Sequence, residues 1–163
     1  MNKRFDEDSV AVILAVIEST RSAFLNEAYK ELAAYPVKGA YVFLDACFSG
    51  GYKSATPLLA QKGVRVVPKV GLPQGNTLSF SSSSGDQTSS VYHDKKQGYY
   101  TYFLIKTIKD AKGNLSMKEL FEKTSTAVKK ATAMIGKIQE PQCMVSPTWT
   151  EWESLRLETQ MEE

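Results

Sequence analysis

Histidine is all but missing from this chain: His93 is the only one in 163 residues. Cysteine is nearly as scarce, with Cys47 and Cys143 alone. So thin a supply of imidazole and thiolate excludes a zinc site. Two cysteines make no disulfide framework either, and the expectation is a reducing, cytoplasmic location. Asp94 and Asp110 stand isolated, and no loop alternates Asp or Asn and closes on glycine, which removes a calcium loop. Gly50-Gly51 is followed neither by Lys-Ser/Thr nor by G-x-G spacing, so no phosphate cradle is present. No cofactor is expected.

Excess charge is also lacking. Twenty Lys and Arg stand against 18 Asp and Glu, a net charge of +2, and the lysines are scattered among acids. That balance argues against nucleic acid and against a membrane surface as partners. The longest apolar run, Val10 to Ile17, is far shorter than the ~20 residues of a membrane span. Met1-Asn2-Lys3-Arg4-Phe5 is basic, but Asp6, Glu7 and Asp8 follow at once and spoil a signal peptide. There is no internal repeat and no long low-complexity tract. What remains, 42% apolar and 23% charged, is the composition of a soluble globular domain able to bury a core.

The informative stretch is residues 41–51, Tyr-Val-Phe-Leu-Asp-Ala-Cys-Phe-Ser-Gly-Gly. Tyr41 to Leu44 form an apolar run of strand length, and Gly50 and Gly51 allow a tight turn. Cys47 then falls at the C-terminal edge of a sheet, where open α/β folds carry their chemistry. A lone cysteine is more often a small buried hydrophobe. Strand, Asp-Ala-Cys and double glycine together favour a nucleophile. Around it, Ser22 to Tyr35 has helical apolar spacing, closed by Pro36, with Gly39 expected in the turn that follows. Val10 to Ile17 is strand or helix, since periodicity cannot separate them in so short a run. Residues 52–75 mix Pro and Gly around a brief helix at 58–60, with Val64 to Val67 and Val70 an edge strand or a β-hairpin arm. Thr77 to Ser81 alternates as a strand does. Gly98 to Ala111 predicts a helix with Tyr99, Tyr102, Phe103, Ile105 and Ile108 inward. Ser116 and Glu119 form a capping box for a helix reaching about Ile135, with Gly136 at its end.

Leu44-Asp45-Ala46-Cys47-Phe48-Ser49-Gly50 resembles the nucleophile motif of caspase-like and metacaspase-like cysteine peptidases. The order continues downstream. Ser82 to Ser89 resembles the substrate-pocket segment, and Gln97 to Leu104 the helix start that follows it. Gly113 to Ser116 with Glu119-Leu120 resembles the opening of the last large helix, and Gln139-Glu140-Pro141-Gln142 the Q-x-P-Q after it. The resemblance implies an α/β fold, a three-layer sandwich with a mostly parallel sheet and helices on both faces. It implies three regions: a remnant or altered N-terminal segment at 1–21, a caspase-like domain at 22–145, and a tail at 146–163. It further implies acyl transfer through a Cys47 thiolate, with Asp86, Asp45 and Ser83 around the substrate.

Asp86, between Gly85 and Gln87, suits an Asx-turn and a pocket carboxylate equally on local chemistry. The resemblance favours the pocket, where a carboxylate pairs with the arginine or lysine of a peptide or protein substrate. Asp45 fits two roles, fixing the strand end or lining the pocket. The resemblance also requires a histidine in a His-Gly turn upstream of the nucleophile, and residues 1–46 contain none. His93 lies downstream in a polar stretch and suits a solvated surface. The expectation is therefore a C-terminal portion of a caspase-like domain, incomplete at its N-terminus and nearly inactive alone. Its missing upstream segment, or a second copy, would pair at an open sheet edge. The alternative is a non-catalytic caspase-like module that binds a peptide or protein. A flavodoxin-like binding domain is disfavoured by the Asp86 and Gln139–Gln142 segments.

Overall fold

A computed structural model describes residues 10–17, 22–35, 37–46, 71–84 and 87–156, giving only the backbone course for 10–17, 22–24 and 46. The expectations for residues 52–70 lie outside the described residues. Four strands make the main sheet, in the order β1 (Val10–Ile17), β2 (Gly39–Ala46), β3 (Thr77–Ser81) and β6 (Gln142–Val145). The first three are parallel, and β6 runs antiparallel to β3. Residues 10–17 are thus a strand, paired along their whole length with β2 from Val10↔Gly39 to Ile17↔Ala46. The strand leading to Cys47 is central and parallel to both neighbours, as its near-continuous apolar run implies.

Alternation along β2 separates two cores. Tyr41 and Phe43, with Leu78 and Phe80 of β3, pack against helices α2 (Tyr99–Asp110) and α3 (Met117–Ala133). Val42 and Leu44 face helix α1 (Ser22–Ala33) through Leu25 and Tyr29. Helices therefore cover both faces, and the α/β sandwich is as expected. β3 differs in detail. Its Thr-Leu-Ser-Phe-Ser alternation suits a strand with one wet face, yet all five residues are buried. The polar face is covered by α1, where the Tyr29 hydroxyl donates to Ser79 Oγ at 2.9 Å. A hydroxyl pair lets a polar strand face be dry without an unmet hydrogen bond.

Other elements shift by small amounts for identifiable reasons. Gly39 opens β2 rather than sitting in a turn, because it pairs with Val10 in the parallel ladder; the Trp149 ring passes 2.9 Å from where its Cβ would be. Helix α2 buries Tyr99, Tyr100, Thr101 and Leu104 most deeply, rather than the expected face with Tyr102 and Ile105. A two-strand hairpin, β4 (Val91–Tyr92) and β5 (Gln97–Gly98), leads into α2 and stacks Tyr92 on Tyr99 at 4.5 Å. Tyr102 and Phe103 form a half-buried outer layer of that aromatic cluster. Helix α3 has the capping box: Ser116 Oγ accepts from the Glu119 N–H, and the Glu119 carboxylate accepts from the Ser116 N–H. It ends at Ala133 rather than near Ile135, and its closing turn uses Gly136 at φ 70°. No helix among the described residues is long and apolar enough to cross a membrane.

Candidate active site

β2 reaches its C-terminal end at Asp45 and Ala46, the two residues that precede Cys47 in the chain. Cys47 and Asp86 lie outside the described residues. What the structure does describe is the framework on either side of them in sequence, and it is built from polar side chains.

Asp45 shares the sheet face of Tyr41 and Phe43, as alternation requires, and therefore meets α2. It is 7% exposed. One carboxylate oxygen accepts from Ser89 Oγ at 2.5 Å; the other accepts from Thr101 Oγ1 at 2.6 Å and the Thr101 N–H at 3.3 Å. Thr101 is the third residue of α2, and the helix is preceded by Gly98, which has no side chain to cap it. The free N–H groups of a first helical turn need an acceptor, and a carboxylate also suits the positive end of the helix dipole. Asp45 supplies that cap from a neighbouring strand. Glycine at 98 is what makes room, since a Cβ there would stand 2.0 Å from Asp45 Oδ2. Both Asp45 oxygens are engaged inside the fold. Beside it, Tyr100 is buried with a hydroxyl that has no partner among the described residues. Burial above all, then the Asp45 carboxylate and Cys143, push its pKa well above the ordinary tyrosine value.

The serine segment leaves β3 under equally tight control. Ser82 N–H donates to Leu44 O at 2.8 Å, extending the parallel ladder one step past the strand. Ser83 is buried and its hydroxyl donates to Gln87 O at 3.4 Å, while Ser81 Oγ donates to Ser83 O. The Gln87 N–H donates to Ser84 O at 3.0 Å, and Ser90 O accepts from the Tyr99 N–H. The side chain that joins the two ends of this loop is Gln139, 1% exposed: its Oε1 accepts from the Ser90 N–H and its Nε2 donates to Ser82 O, both at 2.9 Å.

The structure therefore brings Asp45 and the segment containing Ser83 together at one end of the sheet, with Ser89 as the link. Three residues that make these links, Ser89, Thr101 and Gln139, were within recognisable segments but carried no assigned role. A local signal was open to sequence reading only for Thr101, a hydroxyl in an otherwise apolar helix start; Gln139 lies between exposed neighbours and Ser89 in a polar run, so nothing nearby in the chain marks either. His93 is exposed in the single-turn helix His93–Lys95, at the tip of the β4–β5 hairpin. Cys143, the other thiol, lies half-buried in β6, and burial first, then Glu153, push its pKa up to about 11. A thiol so raised stays protonated and inert at neutral pH. Among the described residues, no group of three or more His, Cys, Asp or Glu is placed to hold a metal ion.

No curated protein matches the chain. A family model described as the caspase domain, of the Peptidase C14 group, matches residues 4–150. That match takes in β1, the strand before Cys47, the serine loop and the Gln139 segment alike. With nine-tenths of its length accounted for in this way, and a parallel sheet flanked by helices to match, the chain belongs to the caspase-domain family of cysteine peptidases.

Proposed function

We propose that this caspase domain acts on peptides through Cys47, and that Asp86 selects an arginine or lysine side chain on the acyl side of the scissile bond. This reading puts it with the metacaspase-like members rather than with those that cleave after aspartate. The observation that carries it is the anchoring of the serine loop to the end of the nucleophile strand. Leu44 O holds Ser82, and Asp45 holds Ser89. A segment tied twice to one strand end is suited to act together with the residue that follows that strand in sequence.

In the proposed reaction the Cys47 thiolate attacks the peptide carbonyl, the amine leaves with a proton, and water hydrolyses the thioester. The amine needs a general acid and the thiol a base, a double role normally filled by one imidazole. The 163 residues hold only His93, downstream and exposed. Turnover by these residues alone is accordingly proposed to be very slow. That same observation favours a second reading, a module that binds basic peptides without cleaving them.

Fluorogenic peptides ending in arginine, citrulline or aspartate, offered to the wild type and to C47A and D86A, separate these readings. The peptidase reading expects slow arginine-selective release that C47A abolishes. It also expects the rate to rise when a segment bearing a strand and His-Gly turn is added. D86A should erase the preference for arginine over citrulline. Preference for aspartate, or release indifferent to C47A, overturns it. Arginine-selective binding with no release, even after that addition, supports the module.

A further inference from the structure

Gln139 is the most deeply buried amide side chain in the described structure, and nothing in its own element explains the burial. It precedes β6 by three residues, and its side chain reaches away from that strand to the neck of the loop 82–90. There it meets one carbonyl and one N–H, Ser82 O and Ser90 N, eight residues apart in sequence. Ser82 and Ser90 are themselves 0% and 3% exposed, so neither group has water to turn to. A primary amide is the side chain that offers a donor and an acceptor in one rigid plane. Gln139 thus stands in for a missing peptide unit and closes the loop as a short strand would. The next residue continues the strut: the Glu140 N–H donates to Gln87 Oε1 at 2.7 Å, and Gln87 Nε2 reaches Glu140 Oε2 at 3.4 Å. Gln142 then enters β6 opposite Ser81, so the strut is fixed to the same sheet that carries the loop.

We infer that Gln139 is a positioning residue for substrate selection: by tying Ser82 to Ser90 it fixes the two ends of the segment in whose sequence Asp86 lies. The inference rests on the proposed pocket role of Asp86. It differs from a purely structural role in its consequence. A structural glutamine supports the fold as a whole, whereas a positioning glutamine governs discrimination between a charged and a neutral side chain of the same shape.

The test uses the full 163-residue chain and two short peptides that differ only by arginine against citrulline. Their dissociation constants are measured by NMR titration, which needs no turnover. Amide hydrogen exchange at Ser90 is followed in the same samples. Q139M keeps the volume and removes both hydrogen bonds; Q139E keeps the acceptor and loses the donor, and serves if Q139M does not fold. V128A is the control, because it weakens the core at α3 without touching the loop. The expected result is a wild-type preference for arginine that falls about tenfold in Q139M or Q139E, with Ser90 exchange faster by a similar factor, and no loss of preference in V128A. Unchanged preference and unchanged Ser90 protection overturn the inference, as does an equal loss of preference in V128A. A wild type with no arginine preference overturns the Asp86 reading, and the selection role of Gln139 with it. Ser90 exchange then shows separately whether Gln139 holds the loop neck.

Discussion

Asp45 shows how one side chain can carry two segments. It holds the serine loop through Ser89 and the first turn of α2 through Thr101, and it does so while buried. D45A would strip three donors of a charged acceptor, each such bond contributing about 1.5–3 kcal/mol. The two Thr101 bonds alone set the expected loss at about 3 kcal/mol or more, the part-buried Ser89 hydroxyl adding less, read as a melting temperature lower by at least roughly 6–12 °C. D45N should cost less, since its amide can still accept from Thr101 while Ser89 turns to accept from it. G98A should resemble D45A, because the new methyl displaces the same carboxylate. Cys143 gives a second measurement at this scale. Its pKa is raised from 9.0 to about 11 in the fold, so the folded state holds the proton that the unfolded state gives up. Stability from this group is complete below pH 9 and is lost as pH climbs toward 11. Alkylation of Cys143 by iodoacetamide, followed by peptide mass spectrometry, should be slow at pH 8 and rise steeply only above pH 9.

At the scale of elements, the helices are held by their ends. Both α2 and α3 close with paired bonds that reach back to the last turn. In α3 the Lys137 N–H meets Thr132 O and the Gly136 N–H meets Ala133 O. In α2 the Gly113 N–H meets Ile108 O and the Lys112 N–H meets Lys109 O. The left-handed residue at that place is Gly136 in α3 but Lys112, at φ 52°, in α2, where Gly113 follows at φ 74°. Only glycine adopts that conformation without a penalty, which is about 1–2 kcal/mol for other residues. G136A should therefore destabilise by about 1 kcal/mol through backbone conformation alone, since its methyl would meet nothing within 4 Å. K112G should be neutral or mildly stabilising, the opposite sign at the equivalent place. S116A removes one half of the capping box and should cost about 1 kcal/mol. Thermal denaturation of the three variants side by side checks both the sizes and the signs.

Across the whole molecule, the C-terminal stretch completes the core from outside the sheet. Trp149 is buried, stacks on Tyr41 at 6.1 Å, and lies over Gly39 at the start of β2. Trp152 and Leu155 pack on the same cluster, and Leu155 O accepts from the Met117 N–H at the start of α3. Residues 146–156 thereby join the first turn of α3 to the beginning of the central strand. W149A should cost about 3–5 kcal/mol, as expected for a buried tryptophan. A chain ended after Val145 should lose cooperative unfolding altogether, measured by far-ultraviolet circular dichroism on heating. Its α3 would keep the capping box but lose the apolar cover over Leu115 and Met117.

The sequence alone determined what depends on neighbours in the chain. The apolar run 41–44 specified a buried strand, Ser116 and Glu119 a helix start, and Gly136 a helix end, because each signal is local and lies within a few residues. The ordered motifs were also enough to indicate the family. What only the tertiary structure decided is which distant groups meet. Val10 to Ile17 became a strand because β2 offered it a full ladder, a choice that periodicity in eight residues cannot make. The inward turn of Thr101 depends on a carboxylate 56 residues away, and the burial of Gln139 on a carbonyl 57 residues away. Buried polar groups must find partners wherever the fold brings them. Their roles follow from satisfaction of hydrogen bonds across the sheet end, a condition that no local pattern expresses.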